Sequence, residues 1–185
     1  MKFLILGAKG MLGTDFCHVL VEGGHDVIGV DHHDVDVTDS DALLDLLTRN
    51  QDVDYVVNCT GYTRVDDCET HYNDAVLVNG TACDYLAKHC AGLGLPIVHF
   101  STDYVFDGTL DRPYLETDPC HPINKYGQSK WVGEDKLQKF GANYYIFRVQ
   151  WLYGQHGNHF IKSIVNAVES GKPLTIVSDQ WGSPS

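Results

Sequence analysis

The chain has 185 residues, of which 43% are apolar and 21% are charged, a composition typical of a single globular domain. Its formal charge of −12 at pH 7 argues against a surface for nucleic acid or for an anionic membrane, because both require a basic patch. No apolar run is long enough for a signal peptide or a membrane-spanning helix, so we expect a cytoplasmic protein.

Strand-like and helix-like segments alternate from the first residue. Short apolar runs predict buried parallel strands, and segments with apolar residues at helical spacing predict helices. This alternation predicts an α/β fold of the doubly wound, Rossmann type, in which helices cover both faces of a parallel sheet. The predicted strands are 2–7, 25–31, 53–59, 96–102, 143–149 and 174–179, and the predicted helices are 11–22, 39–50, 74–94, 125–141 and 158–171.

Residues 1–185 are predicted to form one NAD(P)-binding domain, in which a substrate-binding region begins at about residue 150. The chain stops after the last predicted strand without a terminating helix, so we expect it to be part of a longer protein. The one long irregular stretch, 103–124, lies inside the domain, where long loops tend to be functional.

A glycine motif, "GAKGMLG", connects the first predicted strand to its helix. Gly7 would allow the tight turn, Gly10 would let a pyrophosphate approach the backbone, and Gly13 would let helix and strand pack closely. The start of the helix would offer free N–H groups and partial positive charge to the phosphates. The motif therefore predicts a dinucleotide site.

Asp31 ends the second predicted strand. A carboxylate at this position would accept hydrogen bonds from the ribose hydroxyls and would repel a 2′-phosphate, which favours NADH over NADPH. His32 and His33 follow directly, and a protonated imidazole could bind a phosphate, so we expect only a weak preference for NADH.

Three side chains suggest acid catalysis. Tyr126 and Lys130, in "KYGQSKWVGE", would share one face of a helix. Thr102 lies at the carboxyl end of a predicted strand, where ligands of parallel sheets bind. An ammonium about 4 Å from the phenol would lower its pKa towards neutrality and make Tyr126 an effective acid. Thr102 would donate a hydrogen bond to the substrate oxygen.

The six cysteines contain no CxxC pair, and the ten histidines show no zinc-site spacing. We therefore expect reduced thiols and no metal.

Six segments together resemble the extended short-chain dehydrogenase/reductase family, and within it the dTDP-4-dehydrorhamnose reductases. The resemblance spans residues 1–185. It implies reduction of dTDP-4-dehydro-L-rhamnose to dTDP-L-rhamnose with NADH or NADPH, and a homodimer is a candidate assembly. The small C-terminal substrate domain of that family would lie outside this chain. The segments are "GAKGMLG", "NCTGYTRVDDCE", "FSTDYVFDG", "PINKYGQSKWVGE", "FRVQWLYG" and "DQWGSPS".

The resemblance also implies roles for individual residues. Tyr126 would be the proton donor, and Lys130 would hold both Tyr126 and the nicotinamide ribose. Thr102 and Asp103 would contact the dTDP-4-keto-deoxysugar, and Trp151 would face its nucleotide. The remaining cofactor contacts would be Gly10, Met11 and Leu12 at the pyrophosphate, Asp31 at the ribose, Asp36 and Val37 at the adenine, and Gly61, Tyr62 and Thr63 on the nicotinamide side.

One string departs from the family's pattern. The family's arginine-threonine-serine-tryptophan is "RVQW" here, so Val149 and Gln150 replace two hydroxyl residues near the substrate.

Other functions would place different requirements on these residues. A dehydratase of the same superfamily would carry Asp-Glu after the threonine, whereas here Asp103 is followed by Tyr104. An epimerase is an alternative that these residues do not exclude. A regulatory subunit like that of methionine adenosyltransferase would need no working set of Thr102, Tyr126 and Lys130.

Overall fold

The computed structural model describes residues 1–140 and 143–185, and its centre is a parallel sheet of five strands. The strands are β1 Lys2–Leu6, β2 Asp26–Val30, β3 Tyr55–Asn58, β4 Ile97–Thr102 and β5 Tyr144–Val149. Their order across the sheet is β2-β1-β3-β4-β5, and every neighbouring pair is parallel. The predicted doubly wound fold is therefore confirmed.

Six α-helices surround the sheet in the described ranges. They are α1 Met11–Glu22, α2 Ser40–Arg49, α3 Tyr72–Val76, α4 Ala82–Leu93, α5 Lys125–Lys139 and α6 Phe160–Glu169. The predicted helix 74–94 begins at Tyr72 and contains a π turn, Leu77–Thr81, between α3 and α4. Position 141, at the end of the predicted helix 125–141, lies outside the described residues. No helix in the described ranges combines the length and the apolar character that crossing a bilayer requires.

The predicted strand 174–179 is wrong. These residues form no regular structure, and Leu174, Ile176 and Val177 are exposed. A run of β-branched residues suits a pleated surface, but a strand also needs a neighbouring strand for its N–H and C=O groups. The backbone hydrogen bonds of this part of the chain lie at its end, where Ser185 N donates to the Gln150 carbonyl oxygen at 3.0 Å and Tyr153 N donates to the Ser185 carbonyl oxygen at 3.1 Å.

The core lies between the sheet and three helices. Leu4 of β1, Leu43 of α2, Leu86 of α4 and Leu137 of α5 are buried together on one face of the sheet. On the opposite face α1 packs against β4, where the rings of Phe16 and Phe100 lie 5.4 Å apart. Helices on both faces leave the ends of the strands as the open edge for a ligand.

The strand order creates a crevice beside β1. From β1 the chain crosses to β2 on one side and then returns to β3 on the other, so that Leu6 pairs with both Val30 and Asn58. At such a reversal the connections leave in opposite directions, and ligands bind outside the carboxyl ends of the strands.

We expect Gly13→Ala to lower the free energy of unfolding by about 1–3 kcal/mol, the usual effect of overpacking. A Cβ at Gly13 would overlap the carbonyl oxygen of Gly7, which is held by a turn with a φ of 78°. Urea denaturation measures the change. Gly92→Ala is the matched control, because Gly92 lies in α4 with open space around it and should gain stability. Equal stability of the two variants would contradict this packing argument.

Candidate active site

A cavity of about 310 Å³ opens at the reversal point of the sheet. It is bounded by the ends of β1, β2 and β3 and by the segments that follow them. Six of the residues expected to bind the cofactor line it: Gly7, Gly10, Asp31, Asp36, Val37 and Gly61. Seven others do not line it: Met11, Leu12 and Gly13 in α1, Tyr62 and Thr63 beyond Gly61, and Tyr126 and Lys130 on α5.

The glycine turn fits the backbone of α1 closely against β1. The N–H groups of Gly7 and Ala8 both donate to the Val30 carbonyl oxygen, at 2.9 and 3.0 Å. Gly10 begins α1 as its N-cap, and in the described residues no side chain caps this helix. The first N–H groups of α1 are therefore available to an anion at the cavity.

Asp31 is ionised and partly neutralised by its neighbours. Its carboxylate accepts hydrogen bonds from the backbone N–H and the Nδ1 of His32, at 2.6 and 2.7 Å, and lies 3.9 Å from Lys9 Nζ. The His32 backbone N–H is the main cause that lowers the pKa of Asp31. Lys9, which carries no recognisable sequence signal, adds a cation beside the Asp31 carboxylate.

Asp36 and Val37 occupy the end of the cavity near α2. The Asp36 carboxylate accepts hydrogen bonds from the backbone N–H and the hydroxyl of Thr38, at 2.9 and 2.7 Å. These bonds lower the pKa of Asp36. Val37 packs against the apolar core. The carboxylate is thus engaged locally, and an adenine would meet mainly the apolar surface of Val37.

Two buried asparagines hold the segment after β3. The Asn58 carboxamide oxygen accepts from the backbone N–H and the hydroxyl of Thr60, at 3.0 and 2.6 Å. Asn79, of which 2% is exposed, accepts from Tyr62 N at 2.8 Å and donates to Tyr62 O at 3.0 Å and to Ser129 Oγ at 2.9 Å. Sequence reasoning missed both residues, and the one available signal was an asparagine inside an apolar helical segment.

The same segment brings the cavity close to α5. A Cβ placed on Gly61 would lie 3.3 Å from Asn79 Oδ1 and 3.8 Å from Lys130 Nζ. Tyr62 turns its side chain away, and its hydroxyl donates to Asp67 at 2.8 Å. That bond raises the pKa of Tyr62. Gly61, rather than the Tyr62 side chain, is therefore the contact between the cofactor cavity and Lys130.

One glycine lets α5 approach the segment after β4, and a second lets it approach the π turn between α3 and α4. A Cβ on Gly127 would overlap the carbonyl oxygen of Tyr104, and a Cβ on Gly133 would overlap that of Asn79. Asn124 caps the helix by accepting from Gly127 N at 2.7 Å. This close packing places Tyr126 beside the carboxyl end of β4.

Thr102, Asp103 and Tyr126 meet at that end. The Thr102 hydroxyl donates to Asp103 Oδ1 at 3.0 Å and accepts from Tyr104 N at 3.2 Å. The rings of Tyr104 and Tyr126 contact edge to face, with centroids 5.9 Å apart. The Thr102 hydroxyl is one of the groups that shift the pKa of the Tyr126 phenol. This agrees with the predicted proximity of the two side chains.

The expected lowering of the Tyr126 pKa is wrong. Burial raises the pKa of Tyr126 to about 12; the Thr102 hydroxyl opposes this rise, and Asp103 adds to it. The Lys130 ammonium donates to the Phe100 carbonyl oxygen at 2.6 Å, and it is not among the groups that shift the pKa of the phenol. Tyr126 is consequently a protonated phenol at neutral pH.

The segment after β5 meets the carboxyl end of β4. With its amide oriented so that both ends are satisfied, Gln150 donates to Asp103 Oδ2 at 3.2 Å and accepts from Ser183 N at 3.1 Å. Trp151 is 42% exposed and has a φ of 45°, the only positive value for a non-glycine residue in the described ranges. Such backbone strain is found mostly at functional sites.

The cysteine and histidine side chains form no site of their own in the described residues. All six cysteines are free, and no group of three or more His, Cys, Asp or Glu side chains in residues 1–140 and 143–185 is arranged to hold a metal ion.

Comparisons with known proteins agree with this geometry. Residues 1–185 match the family model described as RmlD substrate binding domain. A dTDP-4-keto-6-deoxy-D-glucose reductase of Streptomyces niveus is 39% identical, over all of this chain and 64% of its own length. The crystal structure of a dTDP-4-dehydrorhamnose reductase from Clostridium acetobutylicum is 37% identical with a TM-score of 0.94, over all of this chain and 65% of that one.

A second solved structure carries a cofactor. The dTDP-4-dehydrorhamnose reductase of Bacillus anthracis, in complex with NADP, is 31% identical with a TM-score of 0.95, and this chain covers 65% of it. The chain thus spans slightly less than two thirds of these proteins.

We expect Tyr126 to stay protonated at a pH where ordinary phenols, with a pKa of about 10, are half ionised. Subtracting the ultraviolet tyrosinate titration of Tyr126→Phe from that of the unchanged chain should give a midpoint of about 12. N-acetyl-tyrosinamide in the same buffers is the control. Because the folded-state pKa is raised, the associated stability should be present below about pH 10 and lost as the pH rises further. A midpoint below that of the control would contradict the raised pKa and would support a Tyr126 pKa lowered by Lys130.

Proposed function

The chain belongs to the RmlD substrate binding domain family, as its resemblance to the dTDP-4-dehydrorhamnose reductases led us to expect. We propose that it carries the cofactor site and the acid catalyst of a nucleotide-sugar 4-keto reductase. The observation that carries the proposal is the position of Thr102, Tyr126 and Lys130 at the carboxyl end of β4, next to the dinucleotide cavity.

The cavity fits a nicotinamide dinucleotide. The uncapped start of α1 would hold the pyrophosphate, Asp31 the adenosine ribose, and Val37 the adenine. Gly61 would lie against the nicotinamide side, beside Lys130. These positions extend the cofactor along the strand ends from β2 towards β4, which brings its reactive ring near Thr102 and Tyr126.

The chain's residues supply the proton and the charge stabilisation for a ketone reduction. Bound NADH supplies a hydride to C4 of the keto-sugar, and the C=O π electrons move to oxygen. Tyr126 donates its phenolic proton to that oxygen, giving a secondary alcohol and a phenolate that solvent reprotonates. The Thr102 hydroxyl, whose one proton goes to Asp103 in the free chain, would turn to donate that proton in a hydrogen bond to the oxygen while its charge develops.

Lys130 has capacity left for the nicotinamide ribose. An ammonium has three N–H donors, and in the described residues one of them is engaged, with the Phe100 carbonyl oxygen. The other two are available to ribose hydroxyls on the cavity side, where Gly61 leaves space.

The substrate is proposed to be a dTDP-4-keto-deoxysugar, specifically dTDP-4-dehydro-L-rhamnose. Gln150 contacts Asp103, which follows Thr102, and Trp151 is next in sequence; none of these three residues lines the cofactor cavity. Gln150 offers an amide where the family carries a hydroxyl. The three similar proteins named above act, by their names, on dTDP-4-keto-deoxysugars. The proposed activity belongs in the cytoplasm, and a homodimer is the candidate assembly.

We expect Tyr126→Phe to reduce turnover of dTDP-4-dehydro-L-rhamnose by about 10²-fold or more, the usual range for loss of a general acid. The assay follows NADH consumption by the protein that contains this chain, and NADH affinity should change little. Lys130→Met should impair both affinity and turnover, whereas Lys136→Met, on the same helix but without a role in the site, should impair neither. An undiminished rate for Tyr126→Phe would refute the role of the phenol.

Asp31 should determine the choice between the two cofactors. We propose that the protein binds NADH at least as tightly as NADPH, because the ionised carboxylate meets the ribose hydroxyls and repels a 2′-phosphate. Lys9 and His32 offset part of this repulsion, so the difference should be small. Calorimetry should show Asp31→Ala moving the affinity ratio towards NADPH. Much tighter NADPH binding by the unchanged protein would contradict the assignment.

A further inference from the structure

Glu134 is a buried charge for which the proposed reaction has no use. It follows Tyr126 and Lys130 at four-residue spacing along the sheet-facing side of α5. Lys130 is 4% exposed, and Glu134 is completely buried. Two ionised groups buried one helical turn apart destabilise a protein unless each is compensated.

Arg148 of β5 compensates Glu134 directly. Its Nε donates to both carboxylate oxygens, at 3.1 and 3.2 Å, and its Nη2 donates to Oε2 at 2.7 Å. The same guanidinium reaches the Glu116 carbonyl oxygen and Cys120 Sγ, each at 3.3 Å. These contacts pair the Glu134 carboxylate with the guanidinium charge at two points.

Lys130 has no comparable partner. None of the ion pairs within 4.0 Å in the described residues includes it, and its hydrogen bond goes to a neutral carbonyl group. Burial lowers the pKa of Lys130, and the groups that oppose this are Cys83, Glu134 and Cys59. Burial also raises the pKa of the Cys83 thiol to about 11 and that of the Cys59 thiol to about 12, so both are uncharged at neutral pH.

The other titratable group beside Lys130 is His99 of β4. It is completely buried, and its Nδ1 lies 3.2 Å from the Asn58 amide nitrogen, which can only donate. Nδ1 is therefore an acceptor, and the ring is neutral. Burial lowers the pKa of His99 well below its usual range. Among Cys59, Cys83, His99 and Glu134, only Glu134 carries a charge at neutral pH.

We propose that Glu134 is a positioning residue that keeps the buried Lys130 amine protonated, and that Arg148 serves this role by fixing Glu134 as a carboxylate. The ammonium can then donate to Phe100 O and to the nicotinamide ribose at once. A neutral amine has one N–H donor fewer and no charge, so its hydrogen bonds to Phe100 O and to the ribose would be weaker. The inference rests on the proposed function only for its effect on turnover, because the charge of Lys130 is measurable on the chain itself.

The test is an NMR pH titration of the lysine Cε and Nζ signals in isotopically labelled chain, with the Lys130 signal identified by its loss in Lys130→Arg. We expect Glu134→Gln to lower the Lys130 midpoint by about one pH unit or more, the usual effect of losing an adjacent opposite charge. Asp135→Asn is the matched control, since Asp135 lies next in sequence but pairs with Lys139 on the solvent side of α5.

A double variant separates this role from a purely structural ion pair. Glu134→Gln leaves Arg148 buried and unpaired and is at risk of misfolding, whereas Glu134→Gln with Arg148→Met removes both charges and keeps the volume. If Glu134 acts on Lys130, the double variant should still lower the Lys130 midpoint, by about half a unit or more. An unchanged midpoint in the double variant would mean that Glu134 only neutralises Arg148, and would overturn the proposal.

The pH dependence of kcat/KM provides an independent test of the role of Glu134. In the protein that contains this chain, the decline of kcat/KM at high pH should move to lower pH in the double variant, by the shift seen in the NMR titration. If the protein reduces no keto-sugar, the proposed function fails, and the NMR titration alone still decides the role of Glu134.

Discussion

The hydrogen bond from the Lys130 ammonium to the Phe100 carbonyl oxygen requires α5 to lie against the carboxyl end of β4. A helix with ordinary side chains on this face would stand too far from the sheet. Gly127 removes that obstacle at the segment after β4, because a Cβ there would overlap the carbonyl oxygen of Tyr104, and Gly133 does the same at the π turn, where a Cβ would overlap the carbonyl oxygen of Asn79. The spacing of glycines in "KYGQSKWVGE" is thus a packing requirement of α5, and the positions of Tyr126 and Lys130 follow from it.

Much of this arrangement was predictable from local sequence. The five central strands and the glycine turn follow from short-range pattern, because a buried strand and its turn are determined by adjacent residues. The roles of Asn58 and Asn79 were not predictable, since Asn79 bonds to Tyr62 and Ser129, 17 and 50 positions away. The pKa of Tyr126 was mispredicted for the same reason, because its main cause is burial by distant segments and not its neighbour on the helix.

The two helices nearest the cavity show how an acidic protein can hold an anionic ligand. The first turn of α2 is capped by Asp39, which accepts from Asp41 N and Ala42 N, and carries a further acidic residue. The first turn of α1 has neither a side-chain cap nor an acidic residue, although the chain has a net charge of −12. An aspartate cap at Gly10 would occupy the same N–H groups that a phosphate needs and would repel it. Glycine at this position is therefore as much an electrostatic requirement as a steric one.

The raised pKa of Tyr126 is compatible with the role of proton donor that we propose for it. A proton donor must be protonated before it can act, and a phenol with a pKa of about 12 is almost entirely so at neutral pH. It is still a much stronger acid than an alcohol, whose pKa lies near that of water at about 15.7, so transfer to a developing alkoxide is favourable. A phenol lowered to neutrality would be half ionised, and the ionised half would suit the abstraction of a proton from an alcohol. Burial of Tyr126 beside Thr102 and Tyr104 thus keeps the phenol in the protonated form that the proposed reduction of a ketone requires.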